Sequence, residues 1–502
     1  MARTSRVATV VAGALVSAAL SAAPPLAYVT AVASGDVPRV NGVTVLSRQD
    51  AIGTAVVRGT PSSLRRLAGA PGVRGVYADE QLRPTTGGVD FPGSVFAWQG
   101  VGGNAGRPGA GAGVRVALVD TGIADTPALN RASGRLVDAL NTSRDKDFGD
   151  GYGHGTFMAG ILAGGPVAGT GSHGLGVAPG ATVLNVKVAD DRGSTRLSEV
   201  LEALDWVADN ADSIDVASFA FSRTRPGVGY GADPLTDAVE AVRYEGVTIA
   251  VSAGNDPDQV GDPGFAPSVL TVGAADVRDG TPTVAPFSGS AVVHGVAKPD
   301  VVGSGMGVLS VLPSGSAIAQ ANPDARRSDL LWRGSGTSEA TAQAAGTAAL
   351  FLADHPSATP ADVKASLRSG ALAMSSPRAG AGLVRATSAL VAGTDANGDP
   401  TEATGEASFD AEGWDAMSWR WGNPKANSWS RANSWSRANS WSRANSWSRA
   451  NSWSRANSWS ANSWSANSWS ANSWSANSWS ANSWSANSWS ANSWSAAEWG
   501  GS

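Results

Sequence analysis

The chain of 502 residues contains no cysteine. Disulfides, thiolate metal sites and a cysteine nucleophile are therefore excluded, and packing or bound ions must supply any extracellular stability. Histidine is nearly as scarce, with four in the whole chain. No segment after residue 30 reaches membrane-spanning length without charge. The one short apolar run lies at the start: Arg3 and Arg6 precede Val7 to Leu20, and small residues Ser21-Ala22-Ala23 follow. A positive flank, an apolar stretch too short and alanine-rich to span, and small residues beyond it predict an export signal over residues 1–28. The alternative, an uncleaved membrane anchor, needs a longer run. The chain is accordingly expected to be secreted, soluble and monomeric. Its formal net charge of −5 is small for its length and gives no reason to expect a nucleic-acid partner.

What is present divides the chain by texture. In residues 29–87, Val43-Thr44-Val45-Leu46, Gly53 to Val57 and Val73 to Ala78 read as strands, and Pro61 to Ala68 as a helix begun near Ser62 or Ser63. This predicts a small α+β unit. From Ala112 to about Ala392 largely apolar runs (Val114 to Val119 apart from Arg115, Val183 to Val188, Val216 to Phe221, Val247 to Val251, Val269 to Val272) alternate with amphipathic stretches such as Arg196 to Asn210 and Leu235 to Glu245. Buried strands separated by helices predict an α/β domain over 88–394, three layers with a mainly parallel sheet. Seven acids and no base between Asp395 and Asp415 mark a solvated linker over 395–424. Residues 425–502 repeat Ala-Asn-Ser-Trp-Ser thirteen times and carry Lys425 and five arginines against one acid, Glu498. No aliphatic residue larger than alanine lies in the repeats to build a core. This low-complexity tail offers regularly spaced flat faces for sugars or other rings, and weak contacts that multiply. Cell-wall or polysaccharide binding, and retention at the cell surface with it, is one reading; a tail without a dedicated ligand is a second, and self-association a third.

Three segments carry chemistry: Val119-Asp120-Thr121-Gly122, Gly153-His154-Gly155-Thr156 and Gly336-Thr337-Ser338. An acid, a base and a nucleophile fall in the order Asp, His, Ser. A hydroxyl attacks a carbonyl only when an imidazole takes its proton, and a carboxylate holds that imidazole in the useful tautomer. Asp-Thr-Gly alone would also suit an aspartic protease, which requires a second such motif; the chain has none. His173, His294 and His355 lack the Gly-His-Gly-Thr setting of His154.

With these motifs in this order the chain resembles the subtilisin-like serine proteases, the subtilases. Gly174 to Pro179, Val186-Lys187-Val188, Lys298-Pro-Asp-Val and Asp362-Val363-Lys364 extend the resemblance over about 280 residues. It implies a secreted serine endopeptidase with Asp120, His154 and Ser338 as catalytic residues, acting on protein or peptide substrates. It also implies that Asn255, in Ser252-Ala253-Gly254-Asn255, is the side-chain donor of an oxyanion hole. Ala220, Phe221 and Ser222 with Ser252, Ala253 and Gly254 would wall the substrate pocket, narrowed where Ser222 stands for a common glycine. Residues 29–87 would be an inhibitor-like propeptide, making the chain a self-processing zymogen. No cofactor is required for the chemistry. Structural calcium lacks clear ligands, since Gly165 to His173 has neither carboxylate nor asparagine; Asp145, Asp147 and Asp150 could bind an ion, the alternative to the solvated acidic loop they are read as.

Departures from the family pattern are Phe157 for a histidine, Glu339 for a methionine, and Ala342-Gln343 for Pro-His. Glu339 is expected to point away from the oxyanion hole. The competing reading is a non-catalytic adhesion or surface-binding protein on a subtilase-like scaffold. A scaffold, however, has no physical need for acid, base, nucleophile and oxyanion donor together.

Overall fold

The computed structural model describes residues 37–84, 94–222, 234–293 and 296–386, strands at 27–32 and 86–87, and five short strands between 440 and 491. The expected linker, most of the expected export signal and most of the tail lie outside the described residues.

The first unit is a four-stranded antiparallel sheet with one helix. Strands β1 (Ala27–Val32), β2 (Val43–Gln49), β3 (Thr54–Gly59) and β4 (Val73–Ala78) take the order β2-β3-β1-β4. The inner strand β1 begins at Ala27, one residue before the expected end of the export signal. Helix α1 (Pro61–Ala68) carries proline at its start, and Thr60 caps it by accepting from the Ser63 N–H, two residues before the nearer of the serines anticipated from sequence. The unit's own core is small: Val37, Ala55, Val57, Leu64, Leu67, Val73 and Val76. Two short strands follow, β5 (Gln81–Pro84) and β6 (Thr86–Gly87).

The larger unit opens with β7 (Val95–Phe96) and continues through β8 (Arg115–Asp120), β9 (Leu136–Asn141), α2 (His154–Ala163), β10 (Thr182–Lys187) and β11 (Thr195–Arg196). Next come α3 (Leu197–Asp209), β12 (Val216–Phe219), β13 (Phe221–Ser222), α4 (Pro234–Tyr244), β14 (Thr248–Ser252), β15 (Leu270–Asp276) and β16 (Thr283–Val284). Then follow the hairpin β17 (Ala291–Val293) and β18 (Val296–Lys298), β19 (Val301–Ser304), β20 (Val308–Val311), α5 (Ala317–Ala321), β21 (Leu331–Gly336), α6 (Thr337–Asp354) and α7 (Pro360–Ser369).

Its main sheet runs β9-β10-β8-β12-β14-β15-β16, with β19 also on β15. Every pairing is parallel except β15 with β16. The three-layer arrangement expected from the alternating pattern is therefore present. Alternation along β8 explains the layers. Val116 and Leu118 join the core that α2 and α6 cover, through Met158, Ile161, Leu162 and Ala345. Ala117 and Val119 join the opposite core, with Leu201 and Leu204 of α3 and Val239 and Val242 of α4. Helix α6 is buried all round from Thr337 to Leu352, and its alanines let it lie deep in the molecule. The chain leaves β8 toward β9 and β10 on one side, and β12 lies on the other. Strand order reverses at that point, which is where open parallel sheets gather reactive groups at their carboxyl ends.

The expected low-complexity tail carries strands Ser440–Trp447, Ser458–Ala466, Ser470–Ala476, Ser480–Ala481 and Ser485–Ala491. They pair in parallel, with Trp459 opposite Trp474 and Trp474 opposite Trp489, so residues three repeats apart lie side by side. Among the described residues no helix is long and apolar enough to cross a membrane.

Candidate active site

Asp120 ends β8 and His154 begins α2, and the fold brings them into contact. Asp120 Oδ1 lies 2.6 Å from His154 Nδ1, with both residues buried. The Thr121 backbone N–H donates to the same Oδ1 at 2.7 Å. Two glycines make the approach feasible. Gly153 holds a φ of 105°, and a Cβ on Gly155 would meet the Gly122 carbonyl oxygen at 2.1 Å.

Asp150 locks the start of the helix, and here the solvated-loop expectation fails. Its carboxylate is buried and accepts from the Thr121 hydroxyl at 2.8 Å, Gly153 N–H at 2.7 Å, Thr156 N–H at 2.7 Å and the Thr156 hydroxyl at 2.6 Å. Four donors make it a fastener between the aspartate strand and the histidine helix. Burial still pushes its carboxyl up, to about 6, against the hydrogen bonds that pull it down. Asp145 pairs with buried Lys187 at 3.1 Å, and Asp147 accepts from the Gly149 N–H. Among the described residues no group of three or more His, Asp or Glu is placed to hold a metal ion.

Ser338 lies in the first turn of α6, fully buried. Its hydroxyl donates to the Ala220 carbonyl at 3.3 Å, at the carboxyl end of β12. His154 Nε2 is buried with no hydrogen-bond partner among the described residues, a nitrogen able to take a proton. Burial disfavours charge on His154, but the Asp120 carboxylate, aided by Glu339 and Asp150, outweighs it and raises the imidazole above its ordinary range.

Asn255 follows β14. Its Oδ1 accepts from the Thr337 N–H at 3.0 Å and the Thr337 hydroxyl at 2.9 Å, at the mouth of the serine helix. Because the amide is planar, fixing the oxygen edge on Thr337 turns the NH₂ edge the other way. Thr337 was not anticipated from sequence; its position next to Ser338 was the only available hint.

The expected pocket walls face each other. Phe221 and Ser222 form β13, Ser252 ends β14, and Ala253 is buried. Gly254 holds a φ of 92°, and a Cβ there would meet Ser222 Oγ at 3.4 Å. The wall strand β13 is already paired: β5 lies antiparallel between β13 and β11, with Pro84 opposite Phe221 and Leu82 opposite Thr195. Strand β6 then pairs with the end of β21, Thr86 opposite Gly336. Nothing in the short sequence 81–87 marks it as a strand that others would sandwich.

The departures from the family pattern also find places. Glu339 is buried, with its Oε2 unpartnered. A Cβ added to Gly334 would meet Glu339 Oε1 at 2.5 Å and the Phe157 ring at 2.8 Å, so both departures converge on that glycine. Burial pushes the Glu339 carboxyl up to about 7, although His154 nearby pulls it down. Gln343 donates to the Ala97 carbonyl and accepts from the Ser304 N–H, each at 2.6 Å, tying α6 to the chain before β8 and to β19.

The sequence matches the subtilase family over residues 111–414, more than half of the chain. It is 32% identical over 339 residues to a serine protease, AprX, of Bacillus subtilis, covering 64% of this chain and 75% of the relative. Subtilisin E of the same organism is 32% identical over 268 residues, covering 52% of this chain and 61% of the relative. Among solved structures, fervidolysin from Fervidobacterium pennivorans, a keratinolytic enzyme related to subtilisin, superposes with a TM-score of 0.57 at 21% identity, covering 78% of this chain and 64% of that one. At that identity the likeness speaks for the fold. The chain belongs to the subtilase family and is a subtilisin-like serine endopeptidase.

Proposed function

We propose that Ser338 is the nucleophile, His154 the base and Asp120 its orienting partner, in an exported protease made as a self-processing zymogen. The observation that carries this reading is the buried 2.6 Å Asp120–His154 contact at the switch point, with Ser338 at the start of the central helix. Ser338 Oγ attacks the peptide carbonyl while His154 Nε2 takes its proton. The Asp120 carboxylate holds Nδ1–H and stabilises the imidazolium. The oxyanion forms between the Ser338 backbone N–H at the helix N-terminus and the Asn255 NH₂. The imidazolium protonates the leaving amine, and water admitted by the same base releases the acyl group. Residues 29–87 act as a propeptide that occupies the cleft until it is cut away.

Ser338→Ala should lower turnover of a casein-type substrate by about a millionfold, a magnitude known from subtilisin rather than from this chain. Its fold, read by circular dichroism, should be unchanged, and fluorophosphonate labelling should vanish. Undiminished hydrolysis by Ser338→Ala would refute the assignment.

A further inference from the structure

The tail strands keep step with the repeats, not with a fixed number of residues. Strands Ser458–Ala466, Ser470–Ala476 and Ser485–Ala491 pair in parallel at a step of 15 residues, Trp459 opposite Trp474 and Trp474 opposite Trp489. That step is three Ala-Asn-Ser-Trp-Ser units. Where arginine lengthens the unit, the step lengthens with it: Ser440 lies opposite Ser458, 18 residues on, and Trp447 opposite Trp464, 17 residues on. The register shift between Trp441 and Ala444 takes up Arg443, so each residue still meets its equivalent three repeats away. The strands Ser440–Trp447, Ser458–Ala466, Ser470–Ala476 and Ser485–Ala491 lie side by side in sequence order, as in a coil with three repeats per turn. Such a coil has two ends. Among the described residues, the first and the last of these strands each keep one edge that no other strand pairs.

We propose that the tail joins copies of this chain head to tail, the last strand of one copy pairing with the first strand of the next. Ser470–Ala476 carries on its edge the strand three repeats further along. Ser485–Ala491 has the same sequence residue for residue, so its free edge fits the same occupant. Only one repeat, Ala491 to Ser495, follows within the chain, which is too little for another turn. The next turn therefore comes from a second copy. An arginine-bearing first strand suits that edge, since Ser440–Trp447 already pairs with the arginine-free Ser458–Ala466. Charge and geometry both select this order. All five tail arginines precede Ala456, so joining two first strands would bring like charges together. Two-fold pairing of identical edges would also run strands antiparallel, whereas every pairing in the tail is parallel. The contact is thus heterologous and does not close, which gives open chains of copies instead of dimers. The expected monomer would then describe only the chain without its tail.

The test uses the full chain with Ser338→Ala, to prevent self-digestion, in sedimentation velocity over a range of concentrations. The expected result is a series of species extending beyond the dimer, with the weight-average mass rising at least about twofold from dilute to concentrated samples. Deleting residues 425–502 should leave a single monomeric species. Two further variants separate edge pairing from general stickiness of the tryptophans. Ser490→Pro with Ala491→Pro removes a donor from the outer edge of the last strand, whichever of the two N–H groups faces outward, and should leave monomers although every tryptophan remains. Deleting only residues 482–502 makes Ser470–Ala476 the new edge, with the same sequence, and should associate as the full chain does. A full chain that stays monomeric, association undiminished by the two prolines, or association lost on deleting residues 482–502 overturns the proposal. Monomers that nonetheless pellet with insoluble cell-wall polysaccharide overturn it too, and assign the tail to that ligand.

Discussion

The two β-rich units differ in where their stability is lodged. The larger closes two cores, one on each face of its sheet, and fastens them with buried charge. Lys298 lies 2.7 Å and Lys364 3.3 Å from the Asp300 carboxylate, all deeply buried beside β15. The smaller has a seven-residue core of its own and places its other apolar residues elsewhere. Ile52, on the turn between β2 and β3, and Leu82 both lie in the larger unit's core. Polar contacts follow the same direction. Asp205 of α3 accepts from the Ala51 and Ile52 N–H groups, and Arg74 pairs with buried Asp237 of α4 at 2.5 Å. The first two N–H groups of α3 donate to the Glu80 carbonyl and the Asp79 carboxylate. The small unit thus completes its packing in the larger unit's core, and helix α3 of the larger unit takes its caps from the small one.

The largest effect should come from the larger unit's buried charge. Asp300→Ala strips two buried ammonium groups of their shared partner and leaves the Thr271 N–H without its acceptor. Lys298 is already pushed down to about 7 by burial, so the site has no reserve of solvation. The expected loss is about 3–5 kcal/mol of stability. Denaturant unfolding in the Ser338→Ala background, which avoids self-digestion, measures it. A loss below about 1 kcal/mol would mean that the cluster holds nothing together.

The comparison sharpens at the contact between the units. Ile52→Ala removes a side chain 2% exposed that fills the larger unit's core from outside it. About 2–4 kcal/mol should be lost from docking and little from the larger unit itself. Inhibition constants of the native and Ile52→Ala N-terminal fragments against the same mature enzyme measure the loss. Equal inhibition by the two fragments would mean that the apparent dependence of the small unit on the large one is wrong.

Much of this was legible in sequence because periodicity and motif spoke together. The five apolar runs named from sequence each begin within a residue of a strand of the main sheet (β8, β10, β12, β14 and β15), whereas β9 and the short strands carry no such run and were not anticipated. Asp120, His154, Ser338 and Asn255 each stand at an element boundary marked by glycine, so local chemistry located them. The contact of Asp120 with His154 and that of Asn255 with Thr337 come from the strand order, which no local signal encodes. The same blindness hid β5 and β6: their hydrogen bonds go to partners more than a hundred residues away. Asp150 was misread because two neighbouring acids, Asp145 and Asp147, made it look like one member of a wet loop. Only burial distinguishes it, and burial is a property of the assembled fold.

The smallest effect concerns Glu339, the acid beside the proposed nucleophile. A fixed negative charge there would oppose the oxyanion, but burial raises this carboxyl to about 7, so below that pH it is neutral. A raised carboxyl contributes stability that is present below its unfolded value and lost as pH rises through 7. Above that range its charge favours the imidazolium of His154, as do Asp120 and Asp150. The active form has a neutral imidazole, so removing one of these charges must move the acid limb of kcat/KM to lower pH. Glu339→Gln should show this shift with the plateau rate largely kept, and should be more stable than the native chain above neutral pH. Glu339→Met provides the control, because it removes the ionisable group while filling the space beside Gly334 and Phe157 with an apolar chain. Equal shifts in both variants identify the charge as the cause. A shift in the methionine variant alone would identify packing, and an unmoved limb in both would uncouple Glu339 from the histidine.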